Sequence, residues 1–400
     1  MCPPRLRHGR VWCASWLAAA LVSCLLAACG GGGGGSAAGG TPSAPPVVLP
    51  AVDVSAVRAA DPGSSLPEGW QHGAVAQIFV RSYQDSDGDG IGDLRGLISR
   101  LDYLRDLGVK ALWLMPVTRS QDRDHGYAVA DYRAIEADYG SLADLDALVA
   151  AAHARGLGVI LDYVMNHSAA QHPLFVNAAS GAANAWRDWY VWSASHPASW
   201  NVFGVDPWRA SAAAAVTSWY YAPFWDQMPD FNLRHPAVVE FHRDNLRFWL
   251  NRGVDGFRFD AVGMLFENGP AAWESQPENE TLMRDLAALV GSYQRRHLVC
   301  EAPAQPDRLA AACGSAFAFG RQATFLGAAR GVAADMRAVV DYPLGHPATL
   351  ASLLANHDSF AGARVWDQLQ GDQAAYRLAA ALYLLQPGTP YIYYGEEIGM

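Results

Sequence analysis

Eight short apolar runs alternate with helical patterns along most of this chain: AVAQIFV, KALWLMPV, LGVILDYV, VDGFRFD, HLVCEA, SAFAFG, SLLANHD and TPYIYYG. Each run has strand length, and helix-period segments lie between most of them, at 94–107, 142–155, 236–252, 281–296 and 372–385. An eightfold strand and helix alternation predicts an α/β chain closed into a parallel (β/α)8 TIM barrel. At 400 residues, 51% of them hydrophobic, the chain can bury such a core. One connection breaks the rhythm. Residues 168–234 form a long stretch rich in Trp, Tyr, Asn and Pro, which predicts a subdomain inserted after the third strand. The barrel is then split into 66–167 and 235–400.

The N-terminus has another character. Arg5, Arg7 and Arg10 precede an apolar run from Val11 to Ala28, the layout of an export signal over 1–28. Leu26-Ala27-Ala28-Cys29 resembles a bacterial lipoprotein box, so Cys29 is the expected lipidation site and the chain is expected to be exported and lipid-anchored to a bacterial membrane. An ordinary cleaved signal or a membrane anchor is the alternative. The Gly/Ser/Pro-rich residues 29–65 are expected to be a flexible tether. A formal net charge of -10 excludes a phosphate-backbone partner, and no nucleic acid is expected. The 14 Trp and 16 Tyr suit a sugar ligand, although most aromatics in any chain are core. Cys300 and Cys313 form a disulfide or remain buried thiols; the sequence leaves both open.

Polar residues concentrate where strands end: DYVMNH to His167, GFRFDAV around Asp260, LVCEAP around Glu301, and LLANHD to Asp358. In a parallel barrel those ends form one face, where sites lie. Strand alternation sends Arg258 and Asp260 to the same side and Phe257 and Phe259 to the other. Asp260 and Glu301, on strands about 4.8 Å apart, can supply the two carboxyls of retaining glycoside hydrolysis. Cys300, Ala302 and Pro303 give Glu301 apolar sequence neighbours, which predicts an apolar surrounding. Asp85, Asp87, Asp89 and Asp93, with Gly90 and the Ile91 carbonyl, reproduce most of an oxygen cage for Ca2+; an acidic turn capping the next helix is the competing reading.

In their order these four segments resemble the signature regions of the α-amylase family, glycoside hydrolase family 13, and the resemblance runs from Gln77 to Met400. It implies that Asp260 is the nucleophile, Glu301 the acid/base and Asp358 the acid that grips the reacting sugar. His167 and His357 match the family's hydroxyl-binding histidines. Asp162 matches an acid near the sugar 6-position, or is a structural partner of Arg258; Tyr127 is a stacking platform or a core tyrosine. The resemblance also implies structural Ca2+ at Asp85, Asp87, Asp89, Ile91 and Asp93, and a domain B at the insertion. A C-terminal β-sandwich of the kind family members carry has no counterpart in this sequence and is expected to be missing.

Met228-Pro229-Asp230-Phe231-Asn232 resembles the family's fifth region, and Ala261, where the α-1,6 branch has valine, leans towards α-1,4 cleavage. Gly263 and Met264 replace the Lys-His or Arg-Tyr of typical amylases. The expected substrate is an α-1,4-glucan or malto-oligosaccharide, with no protein partner. Alternatives are an exo-acting α-glucosidase or oligo-1,6-glucosidase, a glucosyl transferase, or a non-catalytic sugar-binding subunit or inactive fragment.

Overall fold

The computed structural model describes residues 48–122, 125–211, 218–345 and 349–400. The expected signal and Cys29 lie outside them. Eight parallel strands succeed one another: β1 (Val75–Ile78), β2 (Ala111–Leu114), β3 (Gly158–Tyr163), β4 (Gly256–Phe259), β5 (His297–Cys300), β6 (Ala316–Phe317), β7 (Leu350–Ala351) and β8 (Tyr391–Tyr393). Neighbours in sequence are neighbours in the sheet, and β1 also pairs with β8. A parallel bridge between Ser352 and Pro390 joins β7 to β8 and closes the ring. This is the predicted barrel, with β7 shifted to just before the expected SLLANHD run.

Alternation along each strand sorts the core into two layers. Val75, Ala111, Trp113, Ile160, Val299, Phe317, Ala351 and Tyr391 form one cluster, joined by Leu66 and Trp70. Leu112, Leu114, Val159, Leu161, Phe257 and Phe259 belong to another, with helix residues such as Leu145, Leu148, Leu246 and Leu286. A Cβ on Gly158, which opens β3, would come within 2.5 Å of the Trp70 ring, so Trp70 packs against the N-terminal end of the strand and leaves the site to the opposite end.

The helices start where the sequence offers caps. Leu142–His153 begins at a Ser141–Asp144 capping box, and Pro236–Asn251 and Pro277–Gly291 begin with proline. The single helix expected over 94–107 is two, Leu94–Ser99 and Leu101–Leu107. The insertion carries the helix Pro173–Ala179 and three short antiparallel strands, Trp192–Ser193, Trp208–Ala210 and Trp219–Tyr221. A bridge from His167 to Asp230 fixes it to the segment that follows β3, and one from Tyr190 to Phe231 ties the insertion to itself. A hairpin of Thr118–Ser120 with Val129–Ile135, absent from the sequence reading, lies between β2 and β3.

Two expectations are decided here. Residues 48–65 do not behave as a tether: the Val57 and Ala60 N–H groups donate to Asp244 and Asn251, and Asn177 donates to the Pro50 carbonyl. Backbone hydrogen bonds fix this strap, so its small-residue composition misled. Cys300 and Cys313 form a disulfide that ties β5 to the end of the helix Pro306–Cys313. With its ends 13 positions apart in sequence, its loss is expected to lower stability by about 2–3 kcal/mol. Urea unfolding of Cys313→Ser beside the oxidised protein measures this; coincident midpoints would show that the crosslink does not stabilise.

Candidate active site

Register explains the centre of the site. Asp162 on β3 is the direct neighbour of Arg258 on β4, so both side chains point into the barrel. The ladders run past the strand ends: Asp260 N–H donates to the Tyr163 carbonyl and Glu301 N–H to the Phe259 carbonyl. Arg258 is 1% exposed and its guanidinium contacts Asp162 at 2.7 Å, Asp260 at 2.7 Å and Glu301 at 2.8 Å. A planar fork is the one side chain that can hold several carboxylates at fixed spacing.

Glu301 also accepts from the Ala261 N–H at 2.9 Å. Ala261 has φ +49°, an αL turn immediately after Asp260. The expected apolar surrounding of Glu301 is therefore corrected: a guanidinium and a backbone N–H from β4 and its turn contact the carboxylate, whatever its sequence neighbours are.

A cleft of about 570 Å³ opens above this layer. Asp260, Glu301 and Asp358 line it, together with Tyr127 and His167, whereas Asp162, Arg258 and His357 do not border it. The structure thus gathers all eight sequence-predicted residues, three acids at the cleft and a buried support beneath. Four carboxyls face one arginine. Burial, then Glu301, pushes Asp358 up to about 6 against the pull of Arg258, and burial pushes Asp162 up to about 6 despite the same cation. Burial likewise raises Asp260, with Arg258 opposing and the neighbouring acids adding. Asp162, Asp260 and Asp358 thus retain protons above the ordinary carboxylate range.

The two histidines differ. His357 bonds Gln77 Nε2 through Nδ1 at 2.8 Å and the Tyr127 hydroxyl through Nε2 at 2.6 Å. Tyr127 donates to Asp162 at 3.0 Å, and Trp113 Nε1 donates to the same carboxylate at 3.2 Å. Burial, then the Arg258 charge, holds the imidazole well below its usual range, so a neutral ring relays Gln77 to Tyr127. Tyr127 is also stacked on that ring, with planes 4° apart. His167, in contrast, is pushed down to about 4 by burial and its Nε2 has no partner among the described residues. Of the two, His167 has a nitrogen free for a ligand.

Gln77 and Trp113 were missed in the sequence; the signal was a polar residue and a tryptophan inside otherwise aliphatic strands. Also missed were Phe203, Phe224, Glu274 and Phe360, which line the cleft. Asp230 is buried with both carboxylate oxygens unpartnered among the described residues, and burial, then Glu267, pushes it well up.

In the loop after β1, Asp85, Asp87 and Asp89 each offer an oxygen within 4.8 Å of the others. Positive φ at Gly88 and Gly90 curls the backbone to allow this. All four carboxylates accept hydrogen bonds, Asp85 from the Asp87, Gly88 and Gly90 N–H groups, Asp87 from Asp89 and Asp89 from Ile91, but Asp93 stands apart from the other three, capping the helix Leu94–Ser99 through Gly96 N–H and accepting from Ser86. The fit to a hard cation thus rests on three carboxylates rather than four.

A parallel barrel with its acids at the C-terminal strand ends is what a sequence profile described as the α-amylase catalytic domain also matches, over residues 77–330. The chain belongs to the α-amylase family. It is 35% identical to Alpha-amylase 3 of Dictyoglomus thermophilum over 83% of this chain and 65% of that one, so it spans just under two thirds of that relative's length. Among solved structures, an α-amylase from H. orenii is 37% identical with TM-score 0.71, covering 82% of this chain and 70% of that one. An α-glucosyl transfer enzyme is 30% identical with TM-score 0.72, covering 83% and 69%.

Proposed function

We propose that this α-amylase-family chain is a retaining glycosidase that cleaves α-1,4 bonds in malto-oligosaccharides or starch-type glucans. One observation carries the reading: a single guanidinium contacts Asp260 at 2.7 Å and Glu301 at 2.8 Å and so holds two cleft carboxyls beside each other, as retention, with its carboxyls about 5–5.5 Å apart, requires. Asp260 attacks the anomeric carbon, Glu301 protonates the departing oxygen and then deprotonates water, and Asp358 holds the ring as positive charge develops. His167 Nε2 hydrogen-bonds a sugar hydroxyl. His357, Tyr127 and Asp162 position Arg258 and the nucleophile.

Maltoheptaose tests this. Mixed shorter oligomers appearing first as α-anomers are expected; glucose released stepwise would make the enzyme exo-acting. No turnover from a protein folded by circular dichroism would sink the glycosidase and favour a sugar-binding role. Transfer in place of hydrolysis is the second reading, favoured by the apolar side chains Phe203, Met264 and Pro303 among those that line the cleft.

We also infer that Ca2+ binds Asp85, Asp87 and Asp89, where hard carboxylate oxygens suit it, and that its role is stability, since no cleft acid lies in this loop. Chelation is expected to lower Tm by several degrees, and Asp87→Asn to remove that difference. A Tm indifferent to chelator in the unaltered protein would leave the loop an acidic turn.

A further inference from the structure

Among the described residues, every hydrogen bond and ion pair of Glu301 comes from β4 and the turn after it. Its N–H donates to the Phe259 carbonyl, its carbonyl accepts from the Val262 N–H, and its carboxylate meets Arg258 and the Ala261 N–H. The ladder beneath is as one-sided: β5 pairs with β4 at four positions but with β6 at one, Cys300 beside Ala316. Beyond Glu301, Ala302, Pro303 and Ala304 make no backbone hydrogen bond among the described residues. The helix Pro306–Cys313 that receives this loop starts without a side-chain cap, and at the surface Arg308 joins it to Glu280 of the helix Pro277–Gly291.

The disulfide supplies the restraint that the other side lacks. It joins Cys300, immediately before Glu301, to Cys313, the last residue of that helix, and so closes the loop that carries Glu301 and Pro303 to the cleft. Side chains alternate along the strand, so Cys300 packs in the outer layer with Leu309, Ala310 and Ala312 while the next residue, Glu301, faces the barrel mouth. With one ladder position toward β6, this covalent bond limits how far the end of β5 can swing with its helix. Both cysteines are buried, which makes the bridge a standing brace rather than a switch worked from solvent.

A general acid must lie within hydrogen-bond reach of the oxygen it protonates, and a misplacement of about 1 Å can lower the rate about 10^2-fold. Asp260 follows β4, which the disulfide does not touch, so loosening β5 moves the acid without moving the nucleophile. We propose that the Cys300–Cys313 disulfide is a positioning element for Glu301, on which proton transfer depends and attack by Asp260 does not. The inference rests on the retaining reading above. When a glucan is cleaved, the Glu301 proton passes to the departing oxygen as Asp260 forms its ester. When α-glucosyl fluoride is the donor, fluoride leaves as an anion and no proton is needed. Azide then attacks the anomeric carbon, the ester bond breaks, and Asp260 leaves as a carboxylate, again without proton transfer.

Cys313→Ser is compared with the oxidised parent at a temperature where circular dichroism shows both folded. Its kcat on maltoheptaose is expected to fall about thirtyfold, while fluoride release in the first turnover of α-glucosyl fluoride stays within about threefold of the parent. Azide is expected to speed the variant's turnover of the fluoride about tenfold, with α-glucosyl azide as the product, and to leave the parent within about twofold. An equal fall in maltoheptaose kcat and first-turnover fluoride release would make the disulfide a structural crosslink alone and overturn the inference. So would a maltoheptaose kcat within about threefold of the parent, or a variant that azide does not speed. No fluoride release from the unaltered protein overturns the retaining reading and this inference with it. Cys313→Val, which refills the buried volume with an apolar side chain, carries the same test if Cys313→Ser does not fold.

Discussion

Asp260→Asn is expected to lower kcat on maltoheptaose by about 10^4-fold or more, with circular dichroism unchanged. Asparagine keeps an oxygen that can accept from Arg258, so the buried ion network loses a charge without losing its geometry. What disappears is the nucleophile. The amide cannot form the covalent ester, and about 5.5 kcal/mol of barrier returns for each 10^4 in rate. The comparison that assigns roles is Glu301→Gln. A fluoride leaving group needs no proton, so Glu301→Gln is expected to form the glycosyl-enzyme from α-glucosyl fluoride while failing on maltoheptaose, and Asp260→Asn to fail on both. The reverse pattern would exchange the two roles, and Asp260→Asn retaining a tenth of the activity would end the nucleophile assignment.

The barrel was legible because eight runs of near-continuous apolar sequence can hardly satisfy their backbone except as a closed parallel sheet. The acids were legible because polar side chains at strand ends have one face on which to converge. Glu301 shows where that reasoning stops. Its sequence neighbours Cys300, Ala302 and Pro303 predicted an apolar pocket, but on a strand the contacts come from the adjacent strand, here Arg258 and the Ala261 N–H. Gln77 reaches His357 across 280 positions, a link that no local pattern encodes. Gln322–Ala329 escaped because its alanine-rich sequence carries little amphipathic period, and Pro306–Cys313 because a helix this short gives too small a window to show one. The strap at 48–65 escaped because its partners are 187 to 233 positions away: its backbone N–H groups donate to Asp244 and Asn251, and Asp61 accepts from the Gln294 N–H.

Arg258→Met is expected to destabilise the fold by about 3–5 kcal/mol at neutral pH and far less near pH 4. Methionine matches much of the volume but removes the cation shared by Asp162, Asp260 and Glu301. Buried carboxyls without it stay inside only by keeping their protons. Asp162 and Asp358 already sit near 6, raised by burial although Arg258 pulls them down, so its removal raises them further. A carboxyl whose folded pKa lies above its unfolded value gives stability that is fully present below about 4 and is lost as pH rises through the folded value. Up to about pH 6 both proteins keep these protons when folded, so the gap between variant and parent opens as pH rises through about 6, where the parent ionises and the variant does not. Urea midpoints of both proteins at pH 4.5 and 7.5 measure it. An equal loss at both values would mean that the arginine contributes packing alone. Arg258→Lys separates charge from shape: one ammonium restores the cation, so the pH-dependent part should shrink, but it cannot span both Asp260 and Glu301, and activity should stay low.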